Sequence, residues 1–192
     1  MTRWKRLQPA GRVALAVALL ATAGLMWTLL PNKLQSWAPI DVHGSVGQRI
    51  TGRDIAVTVS KSYLAHEVTA EGTQGLNRFP SKGTWLVMVI SYEPLMEPQV
   101  PFFRLRADGR TFSTSLDGFG NHQVQPDMPS RGPIAYELPA VPRSATLLVS
   151  NKIVDNDIQE TDASLDSRVA VAIPLPGGAP LPSLNLDELA RP

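Results

Sequence analysis

The densest set of potential ligand atoms in the chain is Asp155-Asn156-Asp157-Ile158-Gln159-Glu160-Thr161-Asp162, where carboxylate and amide oxygens crowd one short segment. Hard cations such as Ca²⁺ are held by oxygens of this kind. The helix-loop-helix calcium motif needs an oxygen ligand at loop position 5 and Gly at position 6. Counted from Asp155, those positions hold Gln159 and Glu160, so the pattern fails. The expectation is a solvated acidic loop, with Asp155, Asp157 and Glu160 as candidate partner-surface residues and no metal site. A second charged set is Arg104, Arg106 and Arg110, which flank a hairpin signal. Alternation puts Arg104 and Arg106 on one face, opposite Phe103 and Leu105, where they could grip an anionic partner or a lipid headgroup. The plainer reading is a solvent face whose charge also guards an edge against strand addition.

Other chemistry lacks its residues. His43, His66 and His122 are the only histidines, and no two have metal-ligand spacing. No Ser lies in a Gly-x-Ser-x-Gly elbow, and no Ser-x-x-Lys motif comes with the partner motifs of penicillin-binding enzymes. No Gly-rich phosphate loop follows a strand. Seventeen acids could supply a glycosidase pair, but spacing nominates none. The chain is therefore expected not to be an enzyme and to carry no cofactor. Cysteine is absent, which excludes disulfides, thiol catalysis and thioether lipidation.

Charge is unevenly distributed. The first thirty residues hold Arg3, Lys5, Arg6 and Arg12 and no acid. Of the 18 Lys/Arg, 14 remain downstream against 17 Asp/Glu, a net of −3. A mildly acidic body gives no electrostatic case for nucleic acid. Arg outnumbers Lys 13 to 5, and Ala, Pro and Gly are plentiful, a bias shared with proteins of GC-rich bacteria such as actinobacteria.

The basic flank precedes an uncharged apolar run, Val13–Leu30, whose helical rise of roughly 27 Å approaches the hydrocarbon thickness of a bilayer. Positive charge resists translocation, so the N-terminus is expected in the cytoplasm and everything after Pro31 outside. Trp4 and Trp27 lie near the two ends of the run, where interfaces favour indole. The rival is a secreted protein cleaved after Ala23, at the small-x-small site Ala21-Thr22-Ala23. Apolar residues continue through Leu25, Met26, Trp27, Leu29 and Leu30, where a cleavable peptide would turn polar, and this favours the retained anchor. Residues 31–48 read as a stalk.

Beyond residue 48 the period becomes two. Ile55, Val57 and Val59 share one face, and Trp85–Ile90 forms a continuous apolar run suited to a central strand covered on both sides. Phe102–Arg106 leads into Asp108-Gly109, a two-residue hairpin signal, with Thr111–Thr114 returning. Ile134–Leu138, Ala145–Val149 and Arg168–Ile173 supply further strands. Leu116–Arg131 and Asn151–Ser167 are long loops. The tail from Pro174 reads as extended or disordered, though Ser183 could cap a helical turn through Leu189. Seven or eight short strands without an amphipathic helix between them indicate an all-β, immunoglobulin-like antiparallel β-sandwich over residues 49–175, followed by a Pro-rich tail, 176–192.

The order Gly52–Val59, Gly83–Ile90, Phe103–Arg110, Pro126–Pro139 and Ala145–Val149 resembles the bacterial immunoglobulin-like extracytoplasmic domains of unknown function that follow a lipobox or a single membrane helix. That family commonly has Asn after the central strand, where this chain has Tyr92-Glu93-Pro94. The resemblance implies no catalytic residues. Together these readings lead to an expected membrane-anchored accessory or interaction module of a cell-envelope complex, with a protein partner. The alternatives are a domain that binds a small ligand or an ion and, further off, an unrecognised hydrolase.

Overall fold

A computed structural model describes residues 9–29, 39–72, 75–151 and 166–190. The chain divides into two units, Met1–Trp37 and Ala38–Pro192. The first contains α1 (Pro9–Leu29), built on the apolar run. Its described side chains are exposed, from Val13 (63%) through Leu20 (73%) to Trp27 (80%). Among the described residues, no helix is long and apolar enough to cross a membrane. The stretch of α1 whose side chains are described, Val13–Thr28, rises roughly 24 Å.

The second unit is a β-sandwich. Its strands are β1 (Ile40–Ser45), β2 (Arg49–Thr51), β3 (Ile55–Gly72), β4 (Gly75–Pro94), β5 (Pro101–Ala107), β6 (Arg110–Ser113), β7 (Leu116–Asp117), β8 (Ser130–Leu138), β9 (Ala145–Asn151), β10 (Ser167–Ile173) and β11 (Leu184–Asn185), followed by α2 (Leu186–Ala190). One sheet has the order β1-β10-β9-β5-β6. The other has β11-β3-β4-β8-β7, with β2 also on β3. Eleven described strands exceed the seven or eight expected, because β2, β7 and β11 are too short to show a period.

The expected strands fall in place. Ile55, Val57 and Val59 of β3 join Leu86, Met88, Ile90 and Tyr92 of β4 in the core between the sheets. Facing them are Phe103 and Leu105, Leu147 and Val149, and Val169 and Val171. Asp108 and Gly109 both have positive φ (46° and 77°), as a two-residue hairpin turn requires, and they join β5 to β6.

Three regions differ from the sequence reading. Residues 40–48 lie in the sandwich and not in a stalk. β1 pairs in parallel with β10, and Arg168 Nε donates to Asp41 Oδ1 at 2.7 Å. This strand is legible only through its distant partner. Second, β3 and β4 form a long hairpin with irregularities between Val59 and Lys61 and between Ala65 and Glu67. Third, the tail is laid along that hairpin. Leu181 N–H donates to Leu64 O, His66 N–H donates to Leu181 O (both 2.8 Å), and Leu184–Asn185 pairs with Val68–Thr69. Asn185 Oδ1, not Ser183, caps α2, accepting from Asp187 N–H at 3.0 Å. Ser183 Oγ donates to Glu67 Oε1 instead.

Trp85 is buried as expected, but on the outer face of its sheet. It lies in a second cluster with Ala65, Val68, Val87, Ala135 and Leu186, against which Phe79 and Leu189 pack. Its indole N–H donates to Phe79 O at 2.9 Å, which satisfies the polar handle of a buried Trp.

Candidate functional site

Arg104 and Arg106 share one face of the sheet, as alternation places them, and Arg110 stands on the other. In the β5–β6 register, Arg104 faces Ser113 and Arg106 faces Thr111, on the solvent side of the sheet. Arg104 also lies over the Phe102 ring, 4.8 Å from its centroid. Arg110 pairs with Ala107 and shares the inward face with Phe112. It lines a groove of about 240 Å³ at the end of the sandwich, with Phe112, Leu138, Pro139, Val141 and Pro142. Across the mouth, Asp108 accepts from the N–H groups of Arg143 (3.1 Å) and Ser144 (3.1 Å), and these bonds hold its carboxyl below the usual range. The turn is thereby tied to the β8–β9 connection. The groove can take an apolar side chain beside a cation.

Asp155, Asp157 and Glu160 lie outside the described residues. His43, His66 and His122 are all exposed. Among the described residues, no group of three or more His, Cys, Asp or Glu is placed to hold a metal.

At the other end of β5 and β9, the fold assembles a polar cluster that spacing did not reveal. Asn151, at the end of β9, donates through Nδ2 to Asp54 Oδ2 and accepts from Tyr92 OH at 2.5 Å. Asp166, which precedes β10, lies beside Asp54 and accepts from Ser167 N–H at 2.7 Å. Ser167 Oγ in turn accepts from Arg53 N–H at 2.6 Å. Burial and then the Asp166 charge push the Asp54 carboxyl up to about 6. In its ionised form, Asp54 Oδ1 is a buried acceptor without a donor. A proton there would turn it into a donor toward Asp166, which reconciles the orphaned oxygen with the raised value. Burial, followed by the Asp54 charge, also raises the Tyr92 hydroxyl well above its ordinary value. Phe119 closes the core beneath this end, edge-on to Tyr92 (6.5 Å between centroids) and tilted on Phe103 (5.1 Å). The only sequence signal was an Asp placed directly before a buried strand. Its partners come from strands far along the chain.

Two antiparallel-rich sheets face to face over one core make this a β-sandwich protein. No family model matches the chain, and no curated protein matches it. Three solved structures are similar to it. The yjhA protein from Bacillus subtilis is 14% identical, with a TM-score of 0.44, covering 66% of this chain and 98% of its own. An uncharacterized β-sandwich protein from Clostridium difficile 630 is 11% identical, with a TM-score of 0.39, covering 76% and 100%. The secreted protein MPT63 from Mycobacterium tuberculosis is 14% identical, with a TM-score of 0.42, covering 70% and 98%. At these similarities, the strand order of this chain remains the ground for its fold class.

Proposed function

We propose that the chain is a single-pass protein of the cytoplasmic membrane, with Arg3, Lys5, Arg6 and Arg12 inside and the sandwich outside. There the domain serves as a non-catalytic interaction or accessory module of a cell-envelope complex, such as a transport, secretion or cell-wall assembly machine. The observation that carries this reading is α1, whose described apolar side chains are exposed all along it. A helix that is apolar all round needs an apolar surround. The apolar stretch of α1 whose side chains are described, Val13–Thr28, rises roughly 24 Å, and Leu29 and Leu30 extend the apolar run toward a hydrocarbon core of about 30 Å. The immunoglobulin-like assignment is supported by strand order. The succession β3-β4-β8-β7 opposite β10-β9-β5-β6 follows A-B-E-D opposite G-F-C-C′. Sandwiches of this type offer loops and strand edges to partners.

The test is recovery of a partner from membranes with a tagged chain. The intact chain should recover it, and a chain whose residues 1–30 are exchanged for a cleavable signal should lose most of it, because membrane confinement raises the effective concentration. Alanine at His43, His66 or His122 should leave recovery unchanged. Turnover of a substrate by the soluble domain would overturn the reading.

A further inference from the structure

The Asp108-Gly109 end of the sandwich combines an open strand edge with the groove. β6 pairs with β5 and, among the described residues, has no strand on its other side. The two-residue turn makes Ala107 and Arg110 the closing hydrogen-bonded pair. The N–H and C=O groups of Thr111 and Ser113 are then directed away from β5, as alternate residues of an antiparallel pair must be. Arg110 and Phe112 face inward to the groove, where Val141 is half exposed. The Arg110 side chain is exposed and has no hydrogen-bond or ion-pair partner among the described residues. Asp108, the acid that lines the same groove, is already taken up by the N–H groups of Arg143 and Ser144. The edge thus presents free backbone groups, an apolar recess and an unmatched cation in one register.

We propose that this edge takes up an extended segment of a protein partner by antiparallel strand addition, with an apolar-x-acidic pattern. Side chains along a strand alternate, so the residues opposite Phe112 and Arg110 both point into the groove. An antiparallel strand meets Phe112 first and Arg110 two residues later. The apolar side chain fills the recess beside Phe112, Leu138 and Pro142, and the carboxylate pairs with Arg110. The proposal deepens the interaction-module reading and rests on it.

The probes are acetyl-Thr-Val-Thr-Glu-Thr-amide and its Lys counterpart, titrated into the isotope-labelled full chain in detergent micelles. The Glu peptide should shift the amide resonances of Thr111 and Ser113 and bind about fivefold more tightly than the Lys peptide, the scale of one exposed charge pair made or reversed. Arg110→Glu should invert that preference. Thr111→Pro should abolish binding with the sandwich spectrum otherwise preserved, since it removes an N–H that β5 does not use. Equal binding of both peptides, or no shift at Thr111 and Ser113 up to the solubility limit, would overturn the proposal. So would concentration-dependent shifts of β6 without peptide, which would make the occupant a second copy. Shifts confined to another edge would refute this site and leave the module reading standing.

Discussion

Among the described carboxyl groups, that of Asp54 departs furthest from its ordinary behaviour. Its carboxyl titrates near 6 in the folded chain, against an ordinary value of 3.8. Between those values the folded state holds a proton that the unfolded chain has released. Stability from this group is therefore present below about pH 4 and is lost as pH rises through about 6. Asp54→Asn mimics the protonated form, since its amide can donate to Asp166 and its oxygen can accept from Asn151. The urea midpoint of Asp54→Asn should exceed that of the parent by more at pH 7.5 than at pH 4.5. A gap that does not change with pH would contradict the shared-proton arrangement. Two further residues test packing. Trp85→Ala should cost about 3–5 kcal/mol, the usual range for deleting a buried aromatic, whereas exposed Arg106→Ala should stay within about 0.5 kcal/mol. Gly83→Ala drives a Cβ into the backbone carbonyl of Leu138 and the backbone of Pro139, which cannot step aside. It should cost about 1–3 kcal/mol or more by overpacking, read from denaturant melts.

At the scale of elements, the strands with a clean period were legible. Ile55–Val59 and the Asp108-Gly109 hairpin stand where alternation and turn chemistry place them, and the unbroken apolar run Trp85–Ile90 is a central strand buried on both faces, as its composition requires. Three features were not legible. β1 is a polar edge strand fixed by β10 across the chain. The cluster around Asp54 depends on Asn151, 97 residues away. The tail has prolines that suggest disorder, and its leucines acquire a purpose only once the outer face of β4 exists to receive them. That face accounts for the order of the tail. Leu186 is buried against the Trp85 cluster, and Asp187 Oδ2 accepts from Glu71 N–H at 2.6 Å. Leu186→Asp should therefore release the tail, increasing amide exchange at His66 and Glu71 while the core between the sheets keeps its protection. Unchanged exchange at both positions would show that the tail is held by something other than this contact.

For the whole molecule, we propose that one apolar helix holds a folded sandwich at the outer surface of the cytoplasmic membrane. Neither unit suggests a role by itself. The helix lacks a pathway of its own, and no catalytic constellation was legible in the sequence. Their union in one chain carries the reading, because confinement beside a membrane machine lets a weak edge or groove contact suffice. The most direct test is alkaline carbonate treatment of membranes carrying the full chain, with intact-mass measurement of the product and protease treatment from the outer side. The chain should stay in the membrane pellet, its mass should include the residues before Gly24, and external protease should remove the sandwich. A soluble product beginning at Gly24, or a sandwich protected from external protease, would contradict the proposal.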